Sequence, residues 1–161
     1  MAGRSTRTKV YHIAYHTGLR AAVLHFYGCN FNCRGCLRRA LAYDCHLGPN
    51  YPRDREGELS FLTVGQVVEL LAEAGPKEVV FEGWEPTVDP ALAELARAVG
   101  ESLRPKPYRV LLTNGRLMPP LGAFEEIKFS IKAVTDSVHV ASVSYTHLRA
   151  HETEADLVCR L

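Results

Sequence analysis

Short apolar runs alternate with helical periods along this chain, and that alternation constrains the fold more than any other feature. Residues 21–26 (Ala-Ala-Val-Leu-His-Phe) end at Tyr27-Gly28 and read as a buried strand feeding a loop. Thr63 is an N-cap with Gln66 three residues on, the pattern of a capping box. Val64, Val67, Val68 and Leu71 then make one apolar stripe, and Gly75-Pro76 ends the helix. Residues 77–81 read as a core strand. A second helix is expected from Asp89-Pro90, with Asp as N-cap and Pro at the first helical position. Its buried face is Leu92, Leu95, Ala96, Val99 and Leu103. Residues 108–112 and 127–134 read as further strands, and 9–16 as a short one. Residues 49–58 and 117–124 read as irregular, Pro-broken connections. Strands and helices joined by short loops imply right-handed βαβ units, a parallel sheet and the α/β class.

In such a sheet, sites form at the carboxyl ends of the strands, and the unusual residues of this chain fall there. After the first buried strand come Cys29, Cys33 and Cys36, spaced Cys-x-x-x-Cys-x-x-Cys. A 4Fe–4S cluster normally takes four cysteines, so a three-cysteine loop leaves one iron for a ligand that is not protein. The competing reading is a zinc site completed by Cys45 or His46. Gly83-Trp84-Glu85-Pro86-Thr87 follows the next strand, Thr113-Asn114-Gly115 the third, and Ser130-Ile131-Lys132 lies in the last half of the fourth. Gly83 and Pro86 let backbone approach a ligand at a sharp turn. Glu85 either receives an ammonium group or holds that turn. Thr113 and Asn114 are able to hydrogen-bond a ribose or a carboxylate.

The chain's 161 residues suffice for one domain with a real core. A formal net charge of +1 gives no electrostatic argument for nucleic acid or a membrane surface as partner. The polar, basic N-terminus lacks a signal-peptide h-region, and no apolar run spans a bilayer. Clustered cysteines without an export signal favour the reducing cytoplasm and metal binding over disulfides. His25, inside an apolar strand, reads as a core histidine; His12, His16 and His139 read as surface residues. Arg34, Arg38 and Arg39 form a basic patch, either a solvated face or a contact for an acidic electron donor or substrate.

The cysteine spacing with its preceding Gly28 resembles the signature of the radical S-adenosylmethionine (SAM) enzymes, and Gly-Trp-Glu-Pro-Thr resembles their Gly-Gly-Glu-Pro motif. Thr113-Asn114-Gly115 and the strand ending in Lys132 resemble the pyruvate formate-lyase activating enzyme group. Trp84 stands at the second Gly of the motif. Gly35 stands where many members carry an adenine-contacting aromatic, with Phe31 nearby. Ser130 takes the place of an acidic residue. The resemblance implies a partial (β/α)6 TIM-like barrel, a 4Fe–4S cluster on Cys29, Cys33 and Cys36, and SAM as second cofactor. It further implies SAM contacts from Phe31, Gly35, Gly83, Trp84, Glu85, Pro86, Thr113, Asn114, Ser130 and Lys132, the lysine pairing with the SAM carboxylate. Cys45 is then a structural thiol, since a fourth cysteine ligand blocks the open iron.

The implied reaction is reductive cleavage of SAM to methionine and a 5′-deoxyadenosyl radical, with electrons from a flavodoxin- or ferredoxin-type donor. The implied substrate is a glycine in a partner glycyl radical enzyme. Alternatives are small-molecule chemistry of the 7-carboxy-7-deazaguanine synthase kind, and a non-catalytic iron–sulfur or zinc-binding module. Residues 143–161 (Val-Ser-Tyr-Thr-His-Leu-Arg-Ala-His-Glu-Thr onward) resemble a translated transposase-type sequencing adapter, a three-residue barcode and a flow-cell primer. On that reading residues 1–142 are the radical SAM core, truncated on its C-terminal side. His147, His151 and Cys159 then lie in a non-native tail.

Overall fold

The computed structural model describes residues 5–131, 136–143 and 158–160. The apolar runs become strands of one mixed sheet: β1 (Val10–His16), β2 (Ala21–Phe26), β3 (Glu78–Gly83), β4 (Tyr108–Thr113), β5 (Glu126–Phe129) and a three-residue β6 (Val158–Arg160). Among the described residues they are hydrogen-bonded in sequence order from β1 to β6. The pairs from β2 through β5 are parallel, as the α/β pattern requires. The two edges depart from it: β1 pairs antiparallel with β2, and β6 antiparallel with β5. Only residues 17–20 separate β1 from β2. That length permits a hairpin, whereas a parallel partner needs a crossover of roughly a dozen residues or more.

Helix α1 (Leu37–Ala40) follows the cysteine loop, and α2 (Val64–Ala74), α3 (Leu92–Ser102) and α4 (Asp136–Val143) come later. The capping box of α2 is made on both sides. Gln66 N–H donates to Thr63 Oγ1 at 3.2 Å, and Thr63 N–H donates to Gln66 Oε1 at 2.9 Å. Gly75 ends α2 in the left-handed conformation, φ 58°. Helix α3 starts later than expected because the Asp89 carboxylate is spent ahead of it. One oxygen accepts from Ala91 N at 2.8 Å and the other from Lys9 N at 2.6 Å, so Asp89 ties the turn to β1. Residues 53–58, expected to be irregular, form a 3-10 helix.

The stripe of α2 (Val67, Leu71) and that of α3 (Leu95, Val99) join the sheet residues Leu24 and Phe81 in one core. The carboxyl ends of β2, β3 and β4, at Phe26, Gly83 and Thr113, lead into the loops that carry the unusual residues. Strand β5 stops at Phe129, so Ser130 lies just past the strand rather than within it. Lys132, His147 and His151 lie outside the described residues, and for Cys159 the description is its backbone pairing opposite Ile127. No helix among the described residues is long and apolar enough to cross a membrane.

Candidate functional site

At the carboxyl ends of β2, β3 and β4 the loops enclose a cavity of about 850 Å³. That is the size of a small-molecule or cofactor site. Gly28, at φ 94°, turns the chain out of β2, and Cys29, Cys33 and Cys36 all line the cavity from the loop that follows. The Cys29 residue is exposed at the mouth, but its Sγ lies against protein: Phe31 N–H donates to it at 3.3 Å and Asn114 Nδ2 at 3.7 Å. Desolvation there raises the Cys29 thiol, opposed by the Phe31 N–H.

Glu85 is the strut of this site. It is 1% exposed, and both carboxylate oxygens are used. Oε1 accepts from Thr87 N at 3.1 Å, Thr87 Oγ1 at 2.5 Å and Thr113 Oγ1 at 2.6 Å; Oε2 accepts from Asn114 N at 2.6 Å. Its own N–H donates to Gly28 O at 3.0 Å. Glu85 thus joins the ends of β2, β3 and β4, its carboxylate reaching β4 and its backbone N–H reaching the residue after β2. Of the two roles open to Glu85 on sequence, holding the turn is the one its contacts fill. Asn114 carries the tie onward, with Nδ2 donating to Asn30 Oδ1 at 2.8 Å and Oδ1 accepting from Arg116 N at 3.0 Å. The side-chain groups of Thr113 and Asn114, expected to face a ribose or carboxylate, are here bonded to protein.

Gly83, at φ 110°, cannot be another residue without moving a strand. A Cβ there would stand 2.6 Å from Phe26 N and 2.7 Å from Phe26 O. The next residue's N–H then donates to Phe26 O at 3.1 Å, which fixes Trp84 on the cavity wall. The indole packs on Tyr27 with centroids 4.0 Å apart and carries the Arg38 guanidinium 3.8 Å from its own centroid, a cation–π contact. Pro86 is buried at the start of a 3-10 turn, Pro86–Val88. Phe31, Gly35 and Ser130 line the cavity, and a Cβ on Gly35 would meet nothing within 4 Å. Ser130 N donates to Thr113 O at 2.7 Å.

Sequence reasoning named Cys45 and His46, which line the same cavity, but missed Asp44. Asp44, buried, accepts from His46 N at 2.8 Å and Leu47 N at 2.9 Å, and so holds Cys45 and His46 on the cavity. His46 stacks on His25 at 4.1 Å, and His25 on His12 at 5.3 Å. His12, expected at the surface, is half-buried in that stack; His16 is exposed as expected. Burial and the neighbouring histidines push His25 down to about 3, and burial lowers His12 and His46. His25 Nδ1 lies 3.9 Å from Glu82 Oε1, whose carboxyl burial raises. With the imidazole neutral, that contact is not an ion pair. No local signal reveals such a stack, since its members sit on different segments.

Three thiols from one loop line a single cavity. Amide donors such as the Phe31 N–H on Cys29 Sγ are the kind that tune cluster sulfurs. This donor set fits a 4Fe–4S group on Cys29, Cys33 and Cys36.

No curated protein matches the chain at a significant level. The family model of the radical SAM superfamily matches residues 23–152, from β2 through the cysteine loop and all the strand ends described above. Members of that superfamily use a 4Fe–4S cluster and S-adenosylmethionine. The match covers most of the chain and falls on the segment that builds the cavity, so the chain belongs to the radical SAM superfamily.

Proposed function

We propose that this chain is the core of an enzyme that cleaves SAM reductively and uses the resulting 5′-deoxyadenosyl radical to abstract a hydrogen atom. One observation carries the reading: three thiols on a single cavity that Gly83-Trp84-Glu85 and Thr113-Asn114 also line, tied to the cysteine loop by Glu85 N–H on Gly28 O and Asn114 Nδ2 on Asn30 Oδ1. The bound cluster and SAM supply the redox and radical chemistry. The chain's own residues hold the cofactors in register and close the cavity against water. Cys29, Cys33 and Cys36 are the metal ligands in this account. Phe31, Gly35, Gly83, Trp84, Glu85, Pro86, Thr113, Asn114, Ser130 and Lys132 form the SAM environment, Glu85 by positioning.

The order of motifs supports an activating-enzyme-like role, with a glycine in a partner glycyl radical enzyme as hydrogen donor. It also supports reading the sheet as part of a (β/α)6 barrel, with residues 1–142 as its core. The reduced thiols and the need for a flavodoxin- or ferredoxin-type donor support a cytoplasmic location. A second reading, small-molecule chemistry, is favoured by the arginine- and tryptophan-bearing wall of the cavity. The test is anaerobic reconstitution followed by SAM and a low-potential reductant. Release of 5′-deoxyadenosine, abolished in Cys33→Ala, supports the enzyme; tight binding of zinc with no iron sinks it.

A further inference from the structure

Asn114, expected to face a ribose or a carboxylate, turns its side chain to the cysteine loop instead. Its Oδ1 accepts from Arg116 N at 3.0 Å, while Nδ2 donates to Asn30 Oδ1 at 2.8 Å and to Cys29 Sγ at 3.7 Å. A backbone N–H only donates, so the atom facing Arg116 N is the oxygen and the NH₂ is the group turned to Cys29. An NH₂ group has two hydrogens, and two acceptors meet them. The arrangement is kept even though it leaves Asn30 Nδ2 buried without a partner among the described residues. Turning the Asn30 amide over would set its NH₂ against that of Asn114.

This donor comes from outside the loop. Phe31 N–H, which donates to the same sulfur at 3.3 Å, lies two residues from Cys29, whereas Asn114 follows β4 and is 85 residues away in sequence. The Asn114 backbone is held separately, its N–H donating to Glu85 Oε2 at 2.6 Å. A hydrogen bond to a ligating sulfur offsets its negative charge and so favours the reduced, more negative cluster.

We propose that Asn114 is a positioning residue for electron entry: its amide, oriented by Arg116 N–H and Asn30, donates to the Cys29 thiolate and raises the reduction potential of the cluster. This rests on the radical SAM reading. Reduction adds one electron from the low-potential donor, and no bond forms or breaks at Asn114. The competing role is a direct contact to SAM, in which Asn114 sets SAM affinity and leaves the cluster alone.

The reconstituted full chain is reduced stepwise and followed by electron paramagnetic resonance without SAM, so that a lost SAM contact does not move the reading. Asn114→Leu keeps the backbone bond to Glu85 and removes the amide. Its reduction equilibrium constant should fall about threefold or more, about 30 mV for one electron. Asn30→Ala removes the brace but keeps the donor, and should move the potential less. An unmoved potential in Asn114→Leu overturns the proposal, with or without a loss of SAM affinity, and so does an equal shift in Asn30→Ala, the sign of a displaced loop. If Asn114→Leu takes no iron, the Asn30→Ala chain, isotopically labelled at its asparagine side-chain nitrogens, decides the matter. Pulsed resonance of its reduced cluster should show a nitrogen coupling, and its absence overturns the proposal. Iron content and 5′-deoxyadenosine release are measured on each preparation. A parent chain that loads the cluster and cleaves SAM, with a potential indifferent to Asn114, loses this inference alone, whereas one that takes no iron loses the radical SAM reading with it.

Discussion

Replacing Glu85 by Gln keeps the shape of the side chain and changes one oxygen into a donor. Four donors converge on this buried carboxylate, three on Oε1 and the Asn114 N–H on Oε2. The least costly placement turns the new NH₂ toward Asn114. Two hydroxyl donors then keep an acceptor, and one backbone N–H faces another donor. A hydrogen bond to a charged group contributes about 1.5–3 kcal/mol, so the expected loss is about 2–3 kcal/mol. In a chain of this size that lowers the melting temperature by about 5–10 °C. Glu85→Ala strands two backbone N–H groups, Thr87 and Asn114, while the two hydroxyls turn elsewhere, and about 4 kcal/mol is expected. Denaturant unfolding of the parent and both variants measures these values. SAM affinity should fall alongside, because Thr113 and Asn114 lose their tie to Glu85 and so to the turn after β3. A Glu85→Gln variant within about 0.5 kcal/mol of the parent, the range of an ordinary surface change, refutes the idea that this carboxylate braces the site.

Gly83→Ala should destabilise by about 3 kcal/mol or prevent folding, since its Cβ falls 2.6 Å from Phe26 N on a strand that cannot yield cheaply; a thermal melt close to the parent's contradicts this. Burial alone would raise Glu125, but hydrogen bonds from Arg109 (2.7 Å) and Lys106 (2.8 Å) overcome it and hold its carboxyl at about 2. A depressed carboxyl contributes stability above its unfolded pKa and loses it as pH falls through the folded value. Glu125→Gln should therefore cost about 3 kcal/mol near neutrality, with the gap from the parent closing between about pH 4.5 and pH 2. A gap independent of pH in urea titrations removes the ion pair from the account.

What could be read in the sequence was what is encoded locally. The α2 boundaries follow from Thr63, Gln66 and Gly75, all of which act within a turn of their own position. Strand β2 is a continuous apolar run because nearly all of it is buried, with Leu24 and Phe26 in the core shared with α2 and α3. The start of α3 was misread because Asp89 answers to Lys9, 80 residues away, as well as to its own turn. Glu85 was ambiguous for the same reason, since its partner Thr113 lies 28 residues on. The spacing of the cysteines already puts them on one loop, and the fold adds the cavity they line; Arg38, open on sequence to a solvated face or to contact with an acidic donor or substrate, packs on Trp84. The histidine stack depends on the β1–β2 register, which pairs His12 with His25, and on Asp44 delivering His46.

The central claim is that Cys29, Cys33 and Cys36 hold a four-iron cluster with one iron open to SAM. Mössbauer and electron paramagnetic resonance spectra of the anaerobically reconstituted chain, recorded with and without SAM, test it directly. The account predicts roughly four irons per chain, with one iron site whose signal shifts when SAM is added and a cluster lost on substitution of any of the three cysteines. A cluster whose spectrum ignores SAM, or a chain that takes up a single zinc in place of iron, contradicts it.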